Sequence, residues 1–180
     1  MAGTRKIIVH IAASADGYIA GPNEELDWLT SRPAPKGFYG IEAFMKTVDT
    51  MIMGRRTYDA GLRLGGKFDP KRSTIVFSRQ APPGEIPAGV EFTSEPIAPF
   101  MRRLLERPGK HIWLMGGGEL IAAFLDAQAI DEFVISVIPV FIGDGIPLIA
   151  RRPRHVPLAL ESVEKFDDGL VQLRYRVARE

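Results

Sequence analysis

Three consecutive glycines set between a strand-like and a helix-like segment constrain this chain more than any other stretch. Residues 111–125 read HIWLMGGGELIAAFL. The apolar run from Ile112 to Met115 predicts a buried strand, and Leu120, Ile121, Phe124 and Leu125 recur at helical spacing. A strand that breaks on glycine and resumes as a helix leaves unpaired N–H groups at the helix N-terminus. Those donors and the helix dipole, worth roughly 0.3–1 kcal/mol at an exposed site, suit a phosphate, and missing side chains let it approach the backbone. Met115, Gly116, Gly117, Gly118, Glu119, Leu120 and Ile121 therefore form a candidate phosphate cradle. A P-loop would need Gly-Lys-Ser/Thr, and Gly118-Glu119-Leu120 supplies neither the lysine nor the hydroxyl. A Rossmann fingerprint would need a glycine at Ile121 and an acid about 20 residues on, where the chain reads Ile138-Pro139-Val140. The competing reading is a turn whose glycines only permit close packing. Glu119 must in either case point its carboxylate away from any anion held there.

The rest of the composition narrows the class. At 180 residues the chain fits one domain, 1–180, with a sizeable core. A net charge of +1 gives no electrostatic footprint for nucleic acid or an acidic membrane surface. No apolar run approaches bilayer length and the N-terminus lacks a signal-peptide core, so a cytoplasmic protein is expected. The absence of cysteine excludes disulfides, thiolate metal sites and cysteine nucleophiles, and no metal site is expected.

Residues 6–13 form a near-continuous apolar run, the pattern of a strand buried on both faces. The turn-rich stretch 14–23 follows, with Tyr18 and Ile19 between its corners. Held on a loop beside a strand end, those two side chains either cover a flat ring ligand or plug the core. Asp27 stands beside Trp28 in a short helix or turn. Partly buried against the indole, it would hold its proton tightly enough for acid/base work; otherwise it is a solvated helix cap. Residues 31–40 are rich in Pro and Gly and predict a mobile loop. A helix from Ile41 leads to a buried strand at 50–53, directly followed by Gly54, Arg55, Arg56 and Thr57. The next strand, 73–77, ends on Ser78 and Arg79. In an open α/β sheet ligands collect at the carboxyl ends of strands, so three anion-friendly ends reinforce one another. Paired arginines suit a phosphomonoester, each charge-assisted hydrogen bond contributing roughly 1.5–3 kcal/mol. A pyrophosphate at the glycines and a 2′-phosphate at the arginines together describe NADP(H); the bland alternative is surface charge at strand ends.

A short strand at 90–93 and a helix around 100–106 precede the glycine stretch. Residues 131–139 predict a long strand carrying Ser136 among apolar neighbours, and 143–147 a tight loop. Residues 158–166 and 170–177 alternate around Asp167-Asp168-Gly169, a hairpin signal. The pattern predicts an α/β fold of three layers, α-β-α, with a mixed, mostly parallel sheet and a C-terminal antiparallel hairpin.

Ala12-Ala13, the stretch 16–20 (DGYIA), the stretch 51–58 (MIMGRRTY) and 115–120 (MGGGEL) resemble the dihydrofolate reductase fold. The stretch 138–148 (IPVFIGDGIPL) is more similar to its bacterial relatives built like the reductase domain of riboflavin biosynthesis, the RibD C-terminal domain. The resemblance covers nearly the whole chain. It implies NADPH as cofactor, a small polar substrate and a homodimer. By resemblance, the backbone at Ala13 would touch the nicotinamide amide and Ile19 would pack on its ring from a mobile loop. Gly54, Arg55, Arg56 and Thr57 would hold phosphates at the adenosine end, Ser78 and Arg79 would flank the 2′-phosphate, and residues 115–121 would cradle the pyrophosphate. Ser14, Asp16 and Trp28 would line the substrate pocket, with Asp27 and Ser136 as the catalytic pair.

Two departures matter. Dihydrofolate reductases carry a pterin-binding acid on the first helix beyond the loop tryptophan, whereas here Trp28 is followed by LTSRPAP with no acid. The complete riboflavin enzyme also has a zinc deaminase domain ahead of its reductase, and this sequence has no His/Cys zinc signature, so the reductase part alone is expected. The expected activity is NADPH-dependent hydride transfer to a C=N or C=O carbon, resembling the reduction of a ribosylaminouracil phosphate. A dihydrofolate or pteridine reductase and a non-catalytic NADP(H)-binding protein are the alternatives.

Overall fold

The computed structural model describes residues 5–33, 35–80, 82 and 84–179. In chain order they form β1 (Ile7–Ser14), β2 (Tyr18–Ala20), α1 (Asp27–Thr30), α2 (Ile41–Lys46), β3 (Val48–Gly54), α3 (Arg55–Arg63), β4 (Ser73–Phe77) and β5 (Val90–Thr93). The second half adds α4 (Ile97–Leu105), β6 (His111–Gly116), α5 (Gly118–Asp126), β7 (Glu132–Ile138), β8 (Ile146–Pro147), β9 (Leu158–Lys165) and β10 (Val171–Val177). The main sheet runs β5-β4-β3-β6-β1-β7-β10-β9. Every neighbouring pair from β5 to β7 is parallel, and the terminal hairpin β9–β10 adds antiparallel to β7. The mixed sheet and C-terminal hairpin expected from the sequence are present.

Strand apolarity follows from burial on both faces. Ile7, Val9, Ile52, Ile75, Ile112 and Leu114 meet Phe100, Leu104, Ile121 and Phe124 of α4 and α5 in one core. Their strand neighbours face the other way: Ile8 packs with Phe44 of α2, and Met51, Met53 and Val76 pack with Tyr58 of α3. Two helical layers therefore sandwich the sheet. No helix among the described residues is long and apolar enough to cross a membrane.

The sheet is not continuous along its length. β1 pairs with β6 only from Ile7↔Ile112 to Val9↔Leu114. Beyond that register β1 continues beside β7 to Ser14↔Ile138, while β6 continues beside β3 to Met53↔Gly116. The carboxyl-terminal halves of the two central strands thus part, and the indole of Trp113 donates to the carbonyl of His10 at 2.9 Å just where the ladder stops. At the opposite edge the strand starts are tied together by Arg5. Its guanidinium bonds Asp49, Thr50 Oγ1 (2.8 Å) and the carbonyls of Lys110 (2.7 Å) and Leu104 (3.2 Å).

Two expectations need correction. The stretch 143–147 is not only a tight loop: β8 pairs with β2 as a second, two-stranded sheet. For the same reason Tyr18 and Ile19 do not sit on a free loop. Their segment is tied by the β2–β8 pairing, by Leu148 N–H to Gly17 O (2.9 Å), and by Asp16 to the amides beyond β7.

On the outer hairpin, Leu160 faces Tyr175 and Val163 faces Leu173, with a register shift between Arg174 and Tyr175. The shift leaves Glu161 without an opposite number and so brings Leu158, Leu160 and Val163 onto one face. All three are exposed.

Candidate active site

The parallel strands all end at one edge, where α3 and α5 begin. Their N-caps, Gly54 and Gly117, are both extended. A Cβ placed on Gly54 would lie 3.8 Å from Gly116 O and Gly117 N, so the two helix N-termini face each other across van der Waals distance. A Cβ on Gly117 would meet Thr57 Oγ1 at 3.6 Å and Ile19 Cδ1 at 3.9 Å. Gly54, Thr57, Gly117 and Ile19, drawn from three separate stretches of sequence, therefore surround one spot. The first-turn amides of Gly118 and Glu119 have no acceptor within their helix.

The three glycines serve different purposes. Gly116 adopts φ +115°, a backbone that side-chain-bearing residues rarely take, and its peptide to Gly117 is cis. Gly118 is required by packing, since a Cβ there would come within 2.3 Å of Pro147 O. Gly117 has both ordinary space for a Cβ and a negative φ. The close-packing reading holds at Gly118, while at Gly117 the backbone has room beside it. Met115 packs beneath the cradle with the α3 core, and Ile121 is fully buried. Leu120 N–H and Ile121 N–H both return to Gly117 O at 3.0 Å. The Glu119 carboxylate is drawn aside by Arg152 at 2.7 Å, as an anion at the helix start requires.

The arginines divide. Arg55 donates to both carboxylate oxygens of Asp59 at 2.9 and 2.8 Å and stands 6.0 Å over the Phe92 ring. Arg56 leaves 85% of its side chain exposed, with Glu24 no nearer than 3.9 Å. Arg79 is exposed at the end of the adjacent strand β4, where the Ser78 hydroxyl caps the turn through Gln80 O at 2.9 Å. Arg56 and Arg79 are thus the outward-facing cations of this edge.

On the β1 side, Ala13 is buried at the strand end. Ser14 Oγ donates to Asp16 at 2.6 Å and accepts Tyr18 N–H at 2.9 Å. Asp16 in turn accepts Gly143 N–H at 2.8 Å and Ile142 N–H at 3.2 Å. The Ser14 hydroxyl, with help from those amides, holds the Asp16 carboxyl below its usual range. These two residues close a turn and do not line the cleft described next. Asp27 is exposed in the first turn of α1 rather than partly buried against the indole, because the N-terminal turn of so short a helix projects into solvent. Trp28 buries its Nε1 without a partner but also lies outside the lining.

The cleft itself, about 360 Å³, runs along β1 under residues 29–32 and 38–41. Its walls are Ile11, Ala12, Leu29, Ile41, Trp113, Ile138 and Leu170, with His10, Thr30, Arg32, Phe38, Tyr39 and Ser136 completing them. Ile11 links it to the glycines, its Cδ1 lying 3.4 Å from the Cβ position of Gly116. Of the pair Asp27 and Ser136, only Ser136 lines the cleft. It is buried, and its Oγ accepts from Gln172 Nε2 at 3.0 Å, which leaves the serine proton free to donate. The same amide donates to Tyr39 O at 3.2 Å.

Sequence reasoning missed His10, Arg32, Tyr39 and Asp168. Arg32 Nη2 donates to Asp168 Oδ2 at 2.8 Å and to its backbone carbonyl at 3.0 Å, and the Tyr39 hydroxyl donates to the same carboxylate oxygen. Tyr39 and Arg32 together lower the Asp168 pKa to about 2. His10 stacks 4.7 Å from Phe44; burial, aided by Arg174, lowers its pKa to about 4, so it is neutral at pH 7.

This arrangement has known counterparts. Residues 5–172 match the RibD C-terminal domain family. The chain is 37% identical over 171 residues to the uncharacterized protein YwjB of Bacillus subtilis, covering 95% of this chain and 97% of that one. It is 32% identical to YyaP of the same organism, covering 95% and 94%. The chain belongs to the RibD C-terminal domain family. Among solved structures, a Shewanella sp. PV-4 protein assigned to riboflavin biosynthesis superposes on this RibD C-terminal domain with TM-score 0.85 and 31% identity, over 97% of this chain and 99% of that one. The Thermotoga maritima diaminohydroxyphosphoribosylaminopyrimidine deaminase/5-amino-6-(5-phosphoribosylamino)uracil reductase shares the fold at TM-score 0.71 and 19% identity, over 97% of this chain and 57% of that one.

The division of labour among the glycines gives a direct test. Gly118→Ala should lower stability by about 1–3 kcal/mol, the usual cost of overpacking, whereas Gly117→Ala should unfold near the wild-type midpoint. Thermal or urea melts of the two variants measure this; equal losses would contradict it.

Proposed function

We propose that this RibD C-terminal domain is an NADPH-dependent oxidoreductase that reduces a C=N or C=O carbon of a small heterocyclic compound. The observation that carries the reading is the meeting of two helix N-termini, at Gly54 and Gly117, beside the opening between β1 and β6. A dinucleotide fits what is there. Bare amides at Gly118 and Glu119 with the Thr57 hydroxyl suit a pyrophosphate. Arg56 and Arg79 suit a 2′-phosphate. Ala13 and Ile19 would hold a flat ring at the strand opening. NADPH would supply the hydride.

The chain's own part is to align and to dry the reacting pair. The apolar walls of the cleft exclude water, and Ile11 joins the cleft to the glycine cradle. Among the described lining residues there is no carboxylate. We therefore assign proton delivery to an ordered water oriented by the Ser136 hydroxyl rather than to Asp27. The same gap disfavours a folate pteridine held by a bridging acid, so the dihydrofolate reductase reading stays second. The exposed row Leu158, Leu160 and Val163 on β9 supports a homodimer formed through the hairpin face.

Replacing Arg56 and Arg79 together with alanine should weaken NADPH binding about ten- to a hundredfold, the equivalent of roughly one charge-assisted hydrogen bond, while NADH binding changes little. Calorimetric titration of both nucleotides checks this, and equal losses would remove the 2′-phosphate assignment. NADPH binding without oxidation against any heterocycle of a broad panel would leave a non-catalytic binding protein. For the dimer, Leu160→Glu with Val163→Glu should halve the mass found by light scattering; a monomeric wild type would contradict it.

A further inference from the structure

We propose that the cleft beside β1 selects an uncharged planar ring bearing a hydrogen-bond acceptor on its edge and turns away phosphorylated compounds, with Arg32 as the specificity-determining residue. This deepens the reductase reading and rests on it for the identity of the neighbouring nucleotide.

A pocket for a phosphomonoester needs an unopposed cation or a convergence of free amides. Among the described residues lining the cleft, the one permanent cation is Arg32. Its charge is already answered: Nη2 holds Asp168 through both the carboxylate and the backbone carbonyl, and the Tyr39 hydroxyl braces that carboxylate. His10, the other basic group in the lining, is kept neutral at pH 7 by burial, with Arg174 nearby opposing its protonation. Arg174 lies behind it on β10 and is engaged with Glu132 at 3.1 Å. The cleft therefore offers a dianion no net positive charge, while its apolar walls would strip the dianion of water.

What the cleft does offer is flatness and two spare donors. Ile11, Leu29, Ile138, Leu170 and the Trp113 indole bound a space of about 360 Å³, small for a ligand site and sized for one or two fused rings. Phe38 borders the cleft yet is 59% exposed. It is held on a run of left-handed backbone, with φ +81° at Gly37, +52° at Phe38, +54° at Tyr39 and +81° at Gly40. Bulky residues avoid that conformation, and it recurs where a loop is built to clamp a ligand. An aromatic ring presented to solvent at a cleft mouth gains burial when a flat ligand lies beneath it. Arg32 Nε–H is buried and has no hydrogen-bond partner. It is a donor in want of an acceptor, and a ring carbonyl or ring nitrogen supplies one. The Ser136 hydroxyl, with its proton free, is a second.

The test titrates NADP⁺-loaded protein at pH 7 with lumazine, an uncharged fused-ring dione, and with 5-amino-6-(5-phosphoribosylamino)uracil. Lumazine should bind at least tenfold more tightly. Arg32→Lys keeps a cation for Asp168 but removes the Nε–H, and should weaken lumazine tenfold or more with NADP⁺ affinity unchanged. Asp168→Asn frees the guanidinium charge and should raise affinity for the phosphoribosyl compound at least tenfold. Tighter binding of the phosphoribosyl compound by the wild type, or lumazine affinity untouched by Arg32→Lys, would overturn the inference. Should Arg32→Lys fail to fold, the Asp168→Asn arm decides alone: no gain for the phosphorylated ligand overturns it. The nucleotide reading is judged separately, by NADP⁺ affinity itself, since lumazine can also be titrated into unloaded protein.

Discussion

The interaction on which the site depends is one that stops. The parallel ladder between β1 and β6 ends after Val9↔Leu114, although both strands run on. Each remains paired on its outer side, β1 with β7 and β6 with β3, so the two halves of the sheet diverge without leaving either strand as a bare edge. Twist between adjacent strands tends to open a sheet in this way when nothing bridges it. The Trp113 indole supplies the last bridge, to His10 O, and the Arg5 cluster holds the strand starts at the far edge. At the open end lie the helix N-termini on the β6 side and the apolar cleft on the β1 side.

The electrostatics of the two sides are opposite in kind. On the β6 side stand the helix starts and the outward arginines, with the Glu119 carboxylate held by Arg152. On the β1 side, each charge is met internally: Arg32 by Asp168, Glu132 by Lys6 and Arg174, His10 by loss of its proton. A pair such as Arg32–Asp168, only about a quarter to a third exposed, adds little net stability once desolvation is counted, and its effect is chiefly to fix the loop over the cleft.

Much of this was legible in the sequence, and the reasons are local. Strands at 73–77 and 90–93 follow from clustered β-branched and aromatic residues, and the terminal hairpin from alternation around Asp167-Asp168-Gly169. The glycine cradle and the cation-bearing strand ends were legible because strand, turn and helix start are adjacent in sequence. The cleft side was not, because its polar groups are brought together only by the fold: Arg32 and Asp168 are 136 residues apart. Asp168 reads locally as a turn former, and Tyr39 as part of a connection. Asp27 attracted attention through its neighbour Trp28, but the backbone of a four-residue helix sends the two side chains to different environments. The β2–β8 ribbon was hidden for another reason, since two- and three-residue strands carry too few positions for a period to register.

Amide hydrogen exchange with and without NADPH tests the central claim most directly. Slower exchange is expected at 54–58, 116–121 and 12–14, the three stretches that converge where β1 and β6 part, with no change at the Arg5 edge. Protection confined to the Arg5 edge, or absent from the glycine stretch at saturating nucleotide, would contradict it.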